Sequence, residues 1–177
     1  MVLKGKHVFL TGIEDSEFDL IAKWHGDEDI IRNLTDDVGR LRNNGELKYA
    51  LSEAYRYPIG RLFMIRAVPS GTDQKVPVGY IGVNSFDWKN RHCSVALLCG
   101  SHDWVPVFGS DAVQTMCRYL NKELGIHRVE MTTQVSESEL YLKAIRDAGF
   151  KQDGILRDFY WRSGKFHNVL IMSWMGE

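Results

Sequence analysis

Cysteine is scarce in this 177-residue chain, and its spacing is wrong for metal or disulfide work. Cys93, Cys99 and Cys117 make an odd count, and no Cys-x-x-Cys pair occurs. That argues against a disulfide framework and a structural zinc site, and no other ligand spacing suggests a metal. Reduced thiols in a cytoplasm are the simplest reading. Charge of neither sign prevails: 22 basic residues meet 23 acidic ones, for a formal net charge of −1. Nucleic acid or an anionic membrane calls for a basic run, which is missing, so a small-molecule or peptide partner fits better. Hydrophobic runs are far too short to span a bilayer. Met1 to Lys6 carries charge but no apolar core of signal-peptide length. No repeat, low-complexity tract or linker interrupts the chain. What is present, 44% hydrophobic and 25% charged residues, is ordinary for a soluble globular protein. The length suits one domain, residues 1–177, able to bury about 70% of the surface its unfolded chain exposes.

Periodicity divides the chain in two. Val8 to Leu10 reads as a short strand closed by Gly12. Asp15 or Ser16 then caps a helix carrying Phe18, Ile21 and Ala22 and ending at Gly26. Ile30, Ile31 and Leu34 suggest a second helical piece, and Asn43-Asn44-Gly45 reads as a break. Leu47, Ala50, Leu51 and Ala54 space as an amphipathic helix ending near Tyr57-Pro58. Beyond Gly60 strands are expected over 61–68, 76–86 and 93–99. Gly79 and Gly82 in the second suggest a bulge or a close backbone approach. The third is apolar almost throughout, as a central strand covered on both faces would be. Gly109-Ser110-Asp111 opens a helix with Val113, Met116, Cys117, Leu120 and Leu124 as its buried stripe, ended by Gly125. A strand over 129–133, a helix capped by Ser136 or Ser138 and stopped at Gly149, and strands over 150–161 and 167–174 complete the order. The result is an α/β (α+β) chain with a mixed sheet and helices on both faces.

The run from Leu124 to Trp174 is the most specific stretch. Ala148-Gly149-Phe150, Gly154-Ile155-Leu156-Arg157-Asp158 and Ser163-Gly164-Lys165 fall in the order strand, helix, Gly-Phe joint and hairpin. This resembles the C-terminal half of acetyl-CoA-dependent GNAT N-acetyltransferases, with the Rim type, which acetylates protein N-termini and small amines, as the closest branch. The likeness extends from Leu3 to Met172. It implies a mostly antiparallel central sheet, acetyl-CoA as co-substrate, and a small-molecule amine or peptide N-terminus as acceptor. Exposed strand edges near the C-terminus suit a monomer or a homodimer.

The resemblance also assigns sites. Coenzyme A presents a pyrophosphate, and a helix N-terminus with free N–H groups binds anions. The family writes this loop Gln/Arg-x-x-Gly-x-Gly/Ala. The matching frame is Trp104-Val105-Pro106-Val107-Phe108-Gly109, followed by Ser110-Asp111. Gly109 and Ser110 fit. Trp104 and Val107 depart, and Pro106 removes a donor. The amides of Phe108 to Ala112 then carry the binding, which makes Phe108, Gly109, Ser110 and Asp111 cofactor candidates. The plain alternative is that Gly109-Ser110-Asp111 is only a helix cap.

A second signature, Asn-x-x-Ser-x-x-x-Tyr-x-x-x-Gly-Phe, places Ser138 at the Asn, Tyr141 at the Ser and Ile145 at the Tyr. The family's Asn supports cofactor or acceptor, and its Tyr protonates the departing thiolate. Ile145 cannot. Tyr141, one turn earlier, offers a hydroxyl or else serves as a core aromatic. The carboxylate that Rim-type enzymes carry before the phosphate loop is Ser94 here, with His92 on the same strand face. An imidazole can relay a proton through water, while a lone strand-end His is otherwise a surface residue. The backbone at Leu97-Leu98 is the candidate donor to the thioester carbonyl. Glu130 reads as a salt-bridge partner, Asp36 and Asp37 as turn or cap residues, and Cys99 as a buried thiol. The departures keep two other readings open: a non-catalytic ligand-binding or interaction module on the same fold, and an acyltransferase fed by a carrier-protein thioester.

Overall fold

The computed structural model describes residues 2–31, 43–56, 58, 60–70, 73–134 and 139–176. Leu34, Asp36, Asp37, Ser136 and Ser138 lie outside these. Among the described residues one sheet has eight strands. They are β1 (Leu3–Lys4), β2 (Val8–Thr11), β3 (Arg61–Ala67), β4 (Val76–Asp87), β5 (His92–Cys99), β6 (Arg128–Gln134), β7 (Lys151–Arg162) and β8 (Lys165–Met175). The spatial order is β1-β2-β3-β4-β5-β6-β8-β7, and every pairing is antiparallel except β5 with β6. The helices are α1 (Phe18–His25), α2 (Glu28–Ile31), α3 (Asn44–Ala54), α4 (Ser110–Leu124) and α5 (Glu139–Asp147). The expected mixed, mostly antiparallel sheet with helices on both faces is what forms.

Local chemistry accounts for most boundaries. Asn43, read from sequence as part of a break, instead caps α3. Its side chain accepts from the Glu46 N–H at 2.9 Å, and Glu46 returns a bond to the Asn43 N–H at 3.0 Å. Glu14, not Asp15 or Ser16, caps the turn Asp15–Glu17 before α1 through the same reciprocal device. Gly125 ends α4 in the left-handed region at φ 67°. Ser163 and Gly164, at φ 50° and 78°, make the two-residue turn between β7 and β8. Gly79 is required by close approach: a Cβ there would stand 2.1 Å from the Leu98 carbonyl oxygen.

Alternation along the strands sorts the core into two layers. On one face Leu10, Ile65, Ile81, Leu97, Val129 and Met131 pack under α4 and α5, joined by Met116, Leu120 and Ile145. On the other, Met64, Tyr80 and Leu98 pack against Ile21 and Trp24 of α1 and Leu47 and Leu51 of α3. The second layer does not reach across the sheet. Ser94 and Ala96 of β5 and Glu130 of β6 stay half-buried on that face, and Thr132 is exposed. The expectation that β5 is covered on both faces therefore holds at Leu98 and not at Ser94 and Ala96. The reason is that, among the described residues, α1 to α3 pack over β3, β4 and the Leu98 end of β5, while on β6 Glu130 is half-buried and Thr132 exposed.

Candidate functional site

The parallel pair β5–β6 is short. Its register covers His92↔Arg128, Cys93↔Val129 and Ser94↔Glu130, and there it stops. Both strands continue, β5 still paired with β4 through Cys99 and β6 with β8 through Gln134. The sheet therefore opens into a fork after Ser94 and Glu130. A fork exposes backbone groups that a closed sheet would consume. The Gly100 N–H reaches the Val78 carbonyl at 2.8 Å, so the even-numbered end of β5, Leu98 included, points its backbone toward β4. Leu97 points into the fork. Its carbonyl accepts the buried Tyr141 hydroxyl at 3.4 Å, and its N–H faces the same way.

The segment crossing from β5 to β6 passes over this opening. Sequence reading starts the helix at Gly109-Ser110-Asp111. The chain turns helical earlier. Ser101 caps a single 3₁₀ turn over His102–Trp104, its side chain accepting from the Asp103 N–H at 3.3 Å. A π-type turn over Val105–Gly109 then runs straight into α4. Gly109 and Ser110 are right-handed helical, at φ −63° and −58°, and the Ser110 N–H is taken by the carbonyls of Val105 and Val107. Val105 to Gly109 thus avoid the positive φ that a phosphate nest uses, in keeping with two β-branched residues there. Gly109 instead serves packing: a Cβ would meet Leu97 Cδ2 at 3.1 Å and the Cys99 sulfur at 3.3 Å.

The candidates separate in space. Leu97, Leu98, Gly109 and Tyr141 gather at the fork. Phe108 packs partly buried against the α4–α5 core beside them. Ser110 and Asp111 are buried, and the Asp111 side chain turns away. Its carboxylate accepts the N–H groups of Lys6, His7 and Val8 at 3.1, 2.5 and 3.0 Å, pinning the β1–β2 turn to α4. Ser94 and His92 lie at the closed end of the fork, on the α1–α3 face. His92 leans on Asp87 at 3.4 Å, whose carboxyl is held below the usual range chiefly by the N–H of Asn90. Ile145 is fully buried and purely structural. Burial pushes the Cys99 thiol up to about 12, in line with an inert cysteine.

Two polar groupings are not evident from sequence. Tyr80 of β4, register-paired with Leu98, is buried with its hydroxyl 2.9 Å from His25 Nε2 at the end of α1. They are 55 positions apart, so no local pattern announces them. The other is a lane on the half-open face. Arg128 Nε donates to Glu130 Oε1 at 2.8 Å, and Arg128 Nη2 also binds Asp153, which accepts the Ser173 hydroxyl at 2.9 Å. Burial lowers the Arg128 pKa, but the bonds to Asp153 and Glu130 outweigh it and raise it overall. The salt-bridge reading of Glu130 is correct as geometry. Sequence could not show that register sets Glu130 directly beside Ser94.

Comparison with known proteins agrees with this geometry. The family profile described as "Acetyltransferase (GNAT) domain" matches residues 7–151. An uncharacterized N-acetyltransferase, p20, of Bacillus licheniformis is 25% identical over 178 residues, covering 97% of this chain and 94% of that protein. Among solved structures, spermidine N-acetyltransferase from Vibrio cholerae in complex with CoA and spermine superposes with a TM-score of 0.82 at 15% identity, over 96% of this chain and 95% of that one. A RimL ribosomal L7/L12 alpha-N-protein acetyltransferase in complex with coenzyme A gives 0.82 at 12% identity, over 99% and 98%. At such identities the structural likeness speaks for the fold.

Proposed function

The chain belongs to the acetyltransferase (GNAT) family, whose profile spans residues 7–151, and from that premise we propose that it transfers an acetyl group from acetyl-CoA to a primary amine of a small molecule or a peptide N-terminus. The observation that carries this reading is the fork between β5 and β6, with the Leu97 backbone facing into it. Two solved relatives by fold, a spermidine acetyltransferase and a ribosomal-protein N-terminal acetyltransferase, bracket the acceptor classes.

The fork suits the acyl arm of coenzyme A, an extended chain with amides that complement a strand edge. Val105–Gly109 suits the pyrophosphate less well, because Pro106 has no N–H and the Ser110 N–H is taken by the carbonyls of Val105 and Val107. In this reading Leu97, with Leu98 behind it, holds the thioester. The surface near Phe108, Gly109 and Ser110 borders the phosphates, Asp111 fixes that helix, and Ser138, outside the described residues, stays a cofactor candidate from the resemblance alone. The amine attacks the thioester carbonyl, a C–N bond forms and the C–S bond breaks. An ammonium acceptor gives up two protons, one before attack and one to the departing thiolate. The Leu97 N–H stabilises the carbonyl oxygen as charge builds on it. In the same reading Tyr141, whose hydroxyl meets the Leu97 carbonyl, protonates the thiolate, and Ser94 and His92 line the acceptor side. Holding the partners together supplies ~7–11 kcal/mol of the barrier in favourable cases.

Calorimetric titration with acetyl-CoA, followed by a thiol-release assay over a panel of amines and free-N-terminal peptides, tests the proposal. Micromolar binding and turnover of at least one amine are expected. Absence of binding at millimolar acetyl-CoA would overturn it. One observation favours a second reading, a non-catalytic binding module: the segment matching the family's phosphate loop is a helical turn whose Ser110 N–H is already bonded. In that case acetyl-CoA or another ligand binds and no amine turns over. Transfer from a carrier-protein thioester, but not from acetyl-CoA, would identify a different donor.

A further inference from the structure

Building on the acetyl-transfer reading, we propose that Glu130 is the acceptor-side carboxylate of this protein, taking over from the position that Ser94 occupies. The register pairs Ser94 with Glu130 in the last rung before the fork opens. Strand alternation sends both side chains to the α1–α3 face, where Ser94 and Glu130 are half-buried and Thr132 is exposed. The Glu130 side chain is 32% exposed, so water and an amine can reach it. Its Oε1 is held by Arg128, while Oε2 has no hydrogen bond among the described residues.

Charge on the lane favours an ammonium group. Arg128 is shared between Glu130 and Asp153, so one guanidinium faces two carboxylates and the trio carries a net negative charge. Among the described residues the other ionisable groups near this rung are His92, which rests on Asp87, the exposed Lys151, which shares the rung across Ser173, and the Cys93 thiol. Cys93 is pushed up to about 12, first by burial and then by the charge of Glu130. Among the described residues the ion pair on Glu130 is the one from Arg128 to Oε1.

Three residues of strand separate this rung from Leu97, roughly 10 Å, so the transfer passes through water along the exposed Thr132 side of the lane. The ammonium gives its first proton to that water chain and so to Glu130, which releases it to solvent. The neutral amine then attacks, the C–N bond forms, and the second proton leaves with the thiolate as coenzyme A.

Wild type, Glu130→Gln, Arg128→Gln and the swap Ser94→Glu/Glu130→Gln would be compared for kcat and for KM of each substrate. Spermidine and a short peptide with a free N-terminus serve as acceptors, and thermal unfolding is followed in parallel. Loss of this proton acceptor is expected to lower kcat in Glu130→Gln by about 100-fold with KM for acetyl-CoA unchanged. Arg128→Gln, which cuts the same ion pair but keeps the carboxylate, should retain most activity, and the swap should restore part of what Glu130→Gln loses. Equal activity of Glu130→Gln and wild type would overturn this inference and leave the acetyl-transfer reading standing. So would losses in Arg128→Gln as large as in Glu130→Gln, since the ion pair alone would then explain them. If Glu130→Gln fails to fold, the swap decides: a folded, active swap upholds the carboxylate role, and a folded, inactive or unfolded one overturns it. A wild type that binds acetyl-CoA but acetylates no amine would overturn both.

Discussion

The two faces of the sheet are built for different tasks. Under α4 and α5 the packing is continuous from Leu10 to Met172, with Met116, Leu120, Ile145 and Met131 fully enclosed. Polar groups are few on that side, and Asp111 is tolerated because three backbone N–H groups meet it. The opposite face has a small cluster around Ile21, Trp24, Leu47 and Leu51, then a half-open lane with Ser94, Glu130 and Arg128. Charges buried on the first face would cost several kcal/mol each, whereas on the second they stay hydrated at little cost. Concentrating apolar burial on one side leaves the other free to hold ionisable groups beside the fork.

Truncation in the two helical layers should break that comparison most directly. Met116→Ala in α4 removes a fully buried side chain from the larger core and is expected to cost about 3–5 kcal/mol. Leu47→Ala in α3, in the smaller layer, should cost about 2–3 kcal/mol. Urea unfolding of both variants checks the order, and equal losses would mean that the faces share the load. Next in size is Asp111→Ala, which leaves three N–H groups of the β1–β2 turn without their acceptor. We expect a loss of about 2–3 kcal/mol by the same measurement, with Asp111→Asn recovering part of it.

The thiols probe the closed face without a mutation. Burial lifts Cys93 and Cys99 to about 12, and Cys117 higher still. At pH 8 a thiol of that kind is ionised to only about one part in 10⁴. The native protein should resist an aromatic disulfide reagent and release all three thiols in denaturant. Prompt labelling of any cysteine before unfolding would show that the face opens.

The smallest effect belongs to the lane. The Asp153 carboxyl is held below its ordinary 3.8, first by the hydrogen bond from Arg128 and then by that from Ser173. A depressed carboxyl contributes stability above its unfolded pKa and loses it as pH falls through the native one. Asp153→Asn should therefore lower Tm slightly near neutral pH, with the difference shrinking below pH 3.8. A gap that persists at pH 2 would assign the effect to packing.

Much of this was legible in the residues. The stripe Val113, Met116, Cys117, Leu120 and Leu124 gave α4 its face, Gly125 its end, and Gly154 to Lys165 the closing hairpin, because helical and strand periods act over a few residues. Asn43 was misread because Asn serves breaks and caps alike, and Glu46 three positions on tips it to a cap. The start of α4 was misread for a related reason. Gly109-Ser110-Asp111 is a good local cap, yet Asp111 is drawn to Lys6, His7 and Val8, more than 100 positions away, and the helix extends back to Ser101.

Period and turn chemistry in the sequence by themselves determined most elements and their order, and the residues around Gly149-Phe150 and Ser163-Gly164 carried the resemblance to the family. Tertiary structure alone decided where β5 and β6 part, which way Leu97 points, that Tyr141 reaches it, and that Glu130 stands beside Ser94. Those facts depend on register and on contacts between distant segments, such as Tyr141 with Leu97 across 44 positions. Such pairings are set by packing the whole sheet at once, so no local stretch of sequence encodes them.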